Sequence, residues 1–211
     1  MKKILILITL LILTIGLDIC VGKEKPKILS KQINIIEDPI SLYAKEYLKE
    51  YVRDLANESI RKTFSLVRII TDFNNDGLED IALSDNSMMG NGGGPFKVYL
   101  KDKTGNYKYI GILGIHPAAI NIQPIKKGVT KIIGYWHMSA IEGYLFEYSL
   151  SNDGIKNISR KLIKPGDAEY GGNDEDKKLF DKLFGNRKPI SEYCKLIDYI
   201  KDKNCKWEKG Y

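Results

Sequence analysis

The sequence predicts an α+β protein: an antiparallel β-meander of about seven or eight strands, with one helix before it and two after it. Three observations carry this expectation. Between Phe64 and about Ile163, short β-branched and aromatic runs alternate with turn clusters. The gaps between those runs are shorter than the dozen or more residues that a parallel crossover needs. Apolar residues at helical three- and four-residue spacing occur only before and after that region.

At the N-terminus Lys2-Lys3 precede Ile4–Leu17, an uninterrupted run of apolar residues, Thr and Gly. A charged start and an apolar run shorter than the ~20 residues of a spanning helix read as a signal peptide. Cys20-Val21-Gly22 supplies small residues for a cut after Gly22, while Leu17-Asp18-Ile19-Cys20 resembles a lipobox whose Cys20 would be lipidated. An uncleaved anchor is the third reading. All three place the chain outside the cytoplasm, periplasmic, secreted or lipid-anchored. Residues 1–22 are thus the signal segment, 23–37 a Lys-rich linker ending in a short apolar stretch, and 38–211 one α+β domain.

Asp38-Pro39 starts the first helix, Asp as N-cap and Pro at the first helical position. Tyr43, Tyr47, Leu48, Tyr51, Val52 and Leu55 form its apolar stripe, read as core packing. The strand runs that follow are SLVRIIT, DIALS, FKVYL, YKYIGILG, AINIQPI, TKIIGYW, GYLFEYSL and IKNISRKLI. The tip Asn152-Asp153-Gly154 between the last two signals a hairpin with φ > 0 at the turn. The second helix covers Asp174–Phe184, capped by Asn173 or Asp174 and stopped at Gly185. Pro189 opens the third, with Tyr193, Leu196, Ile197 and Ile200 on one side.

Apart from Cys20, the cysteines are Cys194 and Cys205. On one continuous helix their eleven-residue separation would hold them about 16 Å apart, beyond the ~4.4–6.8 Å that a bridge allows. A disulfide, which an oxidising compartment favours, therefore requires the chain to fold back after about Asp202.

The stretch DFNNDGLED (Asp72–Asp80) carries the most specific chemistry. A hard cation such as Ca²⁺ takes six to eight oxygens at about 2.3–2.6 Å. Asp72, Asn74 and Asp76 stand at the first, third and fifth places, the Leu78 carbonyl at the seventh and Asp80 at the ninth. Gly77 supplies the bend. An EF-hand would close with Glu at the twelfth place, where Leu83 stands, and its flanks would be helical rather than the strand-like SLVRIIT and DIALS. Over about a dozen residues, ThrAspPheAsnAsnAspGlyLeuGluAspIleAla resembles the FG-GAP/VCBS repeat of integrin-like β-propellers. That resemblance implies Ca²⁺ held by Asp72, Asn74, Asp76, Asp80 and the Leu78 backbone. No second DxDxDG loop occurs, and the strands suffice for about two four-stranded blades, too few to close a ring. An isolated β-domain using one such loop is expected, with the cation as a structural pin.

Other signals are weaker. GNGGGP (Gly90–Pro95) lacks the Lys-Ser/Thr of a phosphate loop and reads as a mobile connection, or with Met88-Met89 as a binding rim. His116 and His137 sit in no catalytic motif. Tyr135, Trp136, His137, Tyr144, Phe146 and Tyr148 read as sheet core, with sugar or peptide binding as the functional reading. A formal charge of +6 spread along the chain, with no like-charge run, argues against a nucleic-acid arm. The sequence therefore predicts an exported, non-catalytic, Ca²⁺-pinned binding or structural protein of a bacterial envelope. Its partner would be an envelope protein or glycan, and membrane contact would come only through the signal segment or a lipidated Cys20. The alternatives are an envelope hydrolase built around His116 and His137, and a secreted inhibitor using GNGGGP.

Overall fold

The computed structural model describes residues 35–36, 38–50, 63–185, 190–203 and 205–210. The signal segment, the linker up to residue 34, Pro189, and Tyr51, Val52 and Leu55 of the helix stripe lie outside the described residues. Among the described residues no helix is long and apolar enough to cross a membrane.

The fold is α+β and antiparallel, as the alternating runs require. Each predicted run becomes a strand: β2 (Ser65–Thr71), β3 (Asp80–Asp85), β4 (Gly94–Lys101), β5 (Tyr107–Ile115), β6 (Ile120–Lys126), β7 (Val129–His137), β8 (Gly143–Ser151) and β9 (Gly154–Ile163). The meander is not continuous. It breaks after β5 into two sheets, one holding the order β5-β4-β3-β2 and the other β6-β7-β8-β9. The break falls at His116–Ala119, where Ala119 N–H closes a turn on the His116 carbonyl at 2.9 Å and Pro117 interrupts the ladder.

Short strands too brief to show a pattern complete the first sheet. β1 (Ile35–Ile36) pairs with Lys108 and Tyr107 of β5. β10 (Ser191–Lys195) pairs with β2, and β11 (Glu208–Lys209) pairs with β10. The helix expected to open at Pro189 is thereby corrected: Tyr193 lies on a strand, and helix α3 covers only Leu196–Lys201. Tertiary pairing along β2 overrides local propensity there. The chain then folds back as the cysteine spacing demanded, and Cys194 and Cys205 are disulfide-bonded with Cα atoms 6.1 Å apart.

Helices cover the two outer faces. Helix α1 (Pro39–Glu50) starts as predicted, the Asp38 carboxylate accepting from Ile40 N–H at 3.0 Å and Ser41 N–H at 3.1 Å. Tyr43 and Tyr47 pack with Leu66, Leu83, Tyr99 and Leu196 beneath α1 and α3. Helix α2 (Asp174–Phe184) is capped by Asn173, whose side chain accepts from Glu175 and Asp176 N–H groups, and it lays Phe180 and Phe184 on Tyr135 and Leu145 of the second sheet. Between the sheets Val67, Ile69, Phe73, Phe96, Val98 and Leu113 meet Ile120, Ile132, Tyr148 and Leu150. The layers therefore run helix, sheet, sheet, helix. Each fully buried Leu, Ile or Phe in the middle contributes about 1.5–3 kcal/mol relative to exposure.

This arrangement gathers the hairpin turns at one end. The β2–β3, β4–β5, β6–β7 and β8–β9 connections all lie there, and the β3–β4, β5–β6 and β7–β8 connections lie at the other.

Candidate metal centre and the opposite end

The acidic loop is the centre of the turn end. Its backbone turns through left-handed conformations at Asn75 (φ 58°) and Gly77 (φ 96°), the latter where the spacing required a bend. Three side chains close the loop on itself. Asp72 accepts from Asp76 N–H at 3.1 Å and Gly77 N–H at 2.9 Å. Asn74 Oδ1 accepts from Asp76 N–H at 3.1 Å, and Asp76 Oδ1 accepts from Leu78 N–H at 2.9 Å. The Asn74 amide, fully buried, donates to Asp76 Oδ2 at 2.9 Å and to Asn152 Oδ1 at 2.8 Å.

Asp80 is the most constrained member. It is fully buried, with Oδ2 accepting from Phe73 N–H at 2.8 Å and Oδ1 from Lys101 N–H at 2.9 Å. Burial pushes its carboxyl up to about 7, against the two backbone hydrogen bonds, and the nearby charges of Asp76 and Asp72 push the same way. Among the described residues Asp80 has no ion-pair partner.

Residues outside the motif finish the site. Thr130 Oγ1 of β7 donates to the Phe73 carbonyl, and Gly128 N–H of the β6–β7 turn donates to the Asn75 carbonyl at 3.4 Å. Together with Asn152 at the β8–β9 tip, they bring the second sheet onto the loop of the first. The tip itself departs from expectation: its positive φ falls on Gly154 alone, at 139°.

The donor set suits a hard cation. Asp72, Asn74, Asp76, Asp80 and the Leu78 carbonyl are all oxygen donors, and each carboxylate oxygen keeps a free lone pair beside its N–H bond. As placed, the side-chain oxygens serve N–H groups of the loop and, through Asp80 Oδ1, the N–H of Lys101 on β4. Among the described residues no three His, Cys, Asp or Glu side chains are gathered into one metal-holding group.

At the opposite end the glycine loop is packed rather than loose. Gly90 and Gly93 exchange reciprocal N–H to C=O bonds of 3.0 Å. Gly93 has φ 102°, and a Cβ there would run into the Ile115 carbonyl. A Cβ on Gly92 would meet the His137 carbonyl and come within 2.9 Å of Trp136 Nε1. Gly92 and Gly93 therefore need glycine for close approach, while Met88, Gly90 and Asn91 stay exposed.

His116 and His137 are neighbours. Burial lowers the His116 pKa, with a further contribution from His137, and His116 Nδ1 accepts from Ala118 N–H at 3.1 Å. No hydrogen bond or ion pair joins either histidine to a carboxylate among the described residues. The aromatic residues divide. Tyr135 faces α2, with its ring 5.0 Å from Phe180, and Tyr148 lies in the inter-sheet core. Trp136, Tyr144 and Phe146, joined by Tyr148, line an open groove of about 400 Å³ beside Gly114 and the exposed Met138.

Comparison with protein-family models, with curated proteins and with solved structures finds no match to the chain.

Proposed function

We propose that the chain is an exported, non-catalytic calcium-binding protein of a bacterial envelope, in which Ca²⁺ pins the β2–β3 turn between the two sheets. The observation that carries this reading is Asp80. It is a buried acid at the ninth place of DxNxDGxxD, without a countercharge among the described residues, and its ionised form is disfavoured where it stands. A divalent cation is the partner that such a group lacks. Asp72, Asn74, Asp76, the Leu78 carbonyl and Asp80 would hold it, and its role is charge compensation and turn rigidity. The resemblance of the loop to FG-GAP/VCBS repeats supports the same set. Because Asn74 reaches Asn152 of the second sheet, fixing this loop also fixes the seam between sheets. The Lys2-Lys3 and Ile4–Leu17 segment supports export, and the Cys194–Cys205 bridge fits an oxidising compartment.

Thermal unfolding with Ca²⁺ and with a chelator tests the reading. At Ca²⁺ a hundredfold above Kd, linkage gives about 2.7 kcal/mol, or a melting shift on the order of 5–10 °C for a domain of this size. Identical melting curves in Ca²⁺ and chelator would sink it.

A further inference from the structure

A cleft of about 430 Å³ opens beside the acidic loop, between the β4–β5, β6–β7 and β8–β9 turns. Lys101, Lys103, Lys108 and Lys127 line it, three from one hairpin and one from a turn of the other sheet. None of the four forms an ion pair among the described residues, although Lys97, Lys131, Lys161 and Lys164 all do elsewhere. Two carboxylates share the lining, Asp76 and Asp102. Asp102 is turned into its own hairpin, accepting from Thr104 N–H at 2.8 Å, Thr104 Oγ1 at 2.6 Å and Asn106 N–H at 3.1 Å. Four lysines thus line one concavity with two carboxylates, Asp102 committed to its own hairpin and Asp76 to the acidic loop, where it accepts from Leu78 N–H and the Asn74 amide.

The lysines are also placed. The Lys101 backbone N–H is fixed on buried Asp80, and the Lys101 ammonium stands 5.8 Å from the centre of the Tyr107 ring. Lys108 Nζ donates to the carbonyl of Asn152, itself a lining residue, at 2.7 Å, which uses one of its three donors. Like charges held together at this density repel, and a bound polyanion removes that cost. The lining has lysines and no arginine. It therefore presents point charges with freely turning donors, not the planar fork that selects a single carboxylate in bidentate fashion. Such a set suits a small ligand of high charge density with oxygens on several sides.

We infer that this cleft binds a compact oligophosphate anion, through Lys101, Lys103, Lys108 and Lys127. The inference rests on the lysines and does not require Ca²⁺, although Asp76 and Leu78 of the acidic loop also line the cleft. Its test is calorimetric titration of the full chain with inorganic tripolyphosphate in calcium-free, chelator-free buffer, with citrate as a carboxylate of similar charge. Saturable binding of tripolyphosphate, weakened by salt, is expected, with citrate clearly weaker. Replacing Lys103→Ala and Lys127→Ala together should weaken binding about tenfold at low salt, as the loss of two close charges implies. The paired change Lys156→Ala and Lys178→Ala, outside the cleft lining, should leave it unchanged. Both cleft lysines are exposed, so melting of the double variant should match that of the parent. Absence of tripolyphosphate binding, equal loss in the two double variants, or citrate binding as tightly would each overturn the assignment.

Discussion

Asp72–Asp80 at one end of the sheet pair and Gly90–Pro95 at the other are both tight connections that touch the opposite sheet, yet they hold their shapes by different means. The first satisfies its backbone with side-chain oxygens and buries one acid whose ionised form is disfavoured where it stands. The second closes on a reciprocal Gly90–Gly93 backbone pair and carries no side chain at Gly92 and Gly93, where it lies on His137 and Ile115. A turn built from acids has a use for a cation, whereas a turn built from glycine is finished when it is packed. The proposed calcium site and the lysine cleft both lie at the acidic end.

The largest effect that would sharpen this contrast comes from Asp80→Ala. It leaves the buried N–H of Phe73 and the half-buried N–H of Lys101 unpaired, and at about 1–3 kcal/mol for each unpaired donor the loss should reach roughly 2–6 kcal/mol in chemical denaturation. A loss near zero would mean that the loop does not depend on its buried acid. Next, Gly93→Ala at the opposite end combines a positive φ with a backbone clash, and should cost about 1–3 kcal/mol from the strained conformation alone. Full stability in that variant would show that the glycine loop is not held as tightly as its contacts require.

A smaller effect separates the ends by pH. The Asp80 carboxyl titrates near 7 in the folded chain and near the ordinary carboxylate value when unfolded. The folded state therefore holds the proton more tightly between these values, so this group makes stability fall as pH rises through that window and level off above about 7. In calcium-free buffer the melting temperature of the parent should fall more steeply from pH 5 to 7 than that of Asp80→Asn. Parallel profiles would contradict the buried-acid description.

Much of this was legible before any coordinates. The eight runs between Ser65 and Ile163 became strands because each alternates β-branched and aromatic residues between turn clusters. The loop's own oxygens and the Gly77 bend were legible because they follow one another along the chain. Thr130, Gly128 and Asn152 were not, since each reaches the loop from a distant hairpin of the other sheet. For the same reason four scattered lysines gave no hint of a shared cleft. Ser191–Lys195 misled through Pro189, a local helix-start signal that long-range pairing with β2 overrode. The tightness of GNGGGP was hidden as well, because a glycine kept for freedom and one kept for close approach look alike in sequence.

The most direct measurement is a calorimetric titration of the chain with Ca²⁺, alongside Asp76→Ala, whose side chain lies in the loop without Asp80's buried backbone duties. One Ca²⁺ per chain is predicted, with heat that disappears in Asp76→Ala. Absence of heat in the parent, or binding that survives Asp76→Ala unchanged, would contradict a calcium-pinned turn.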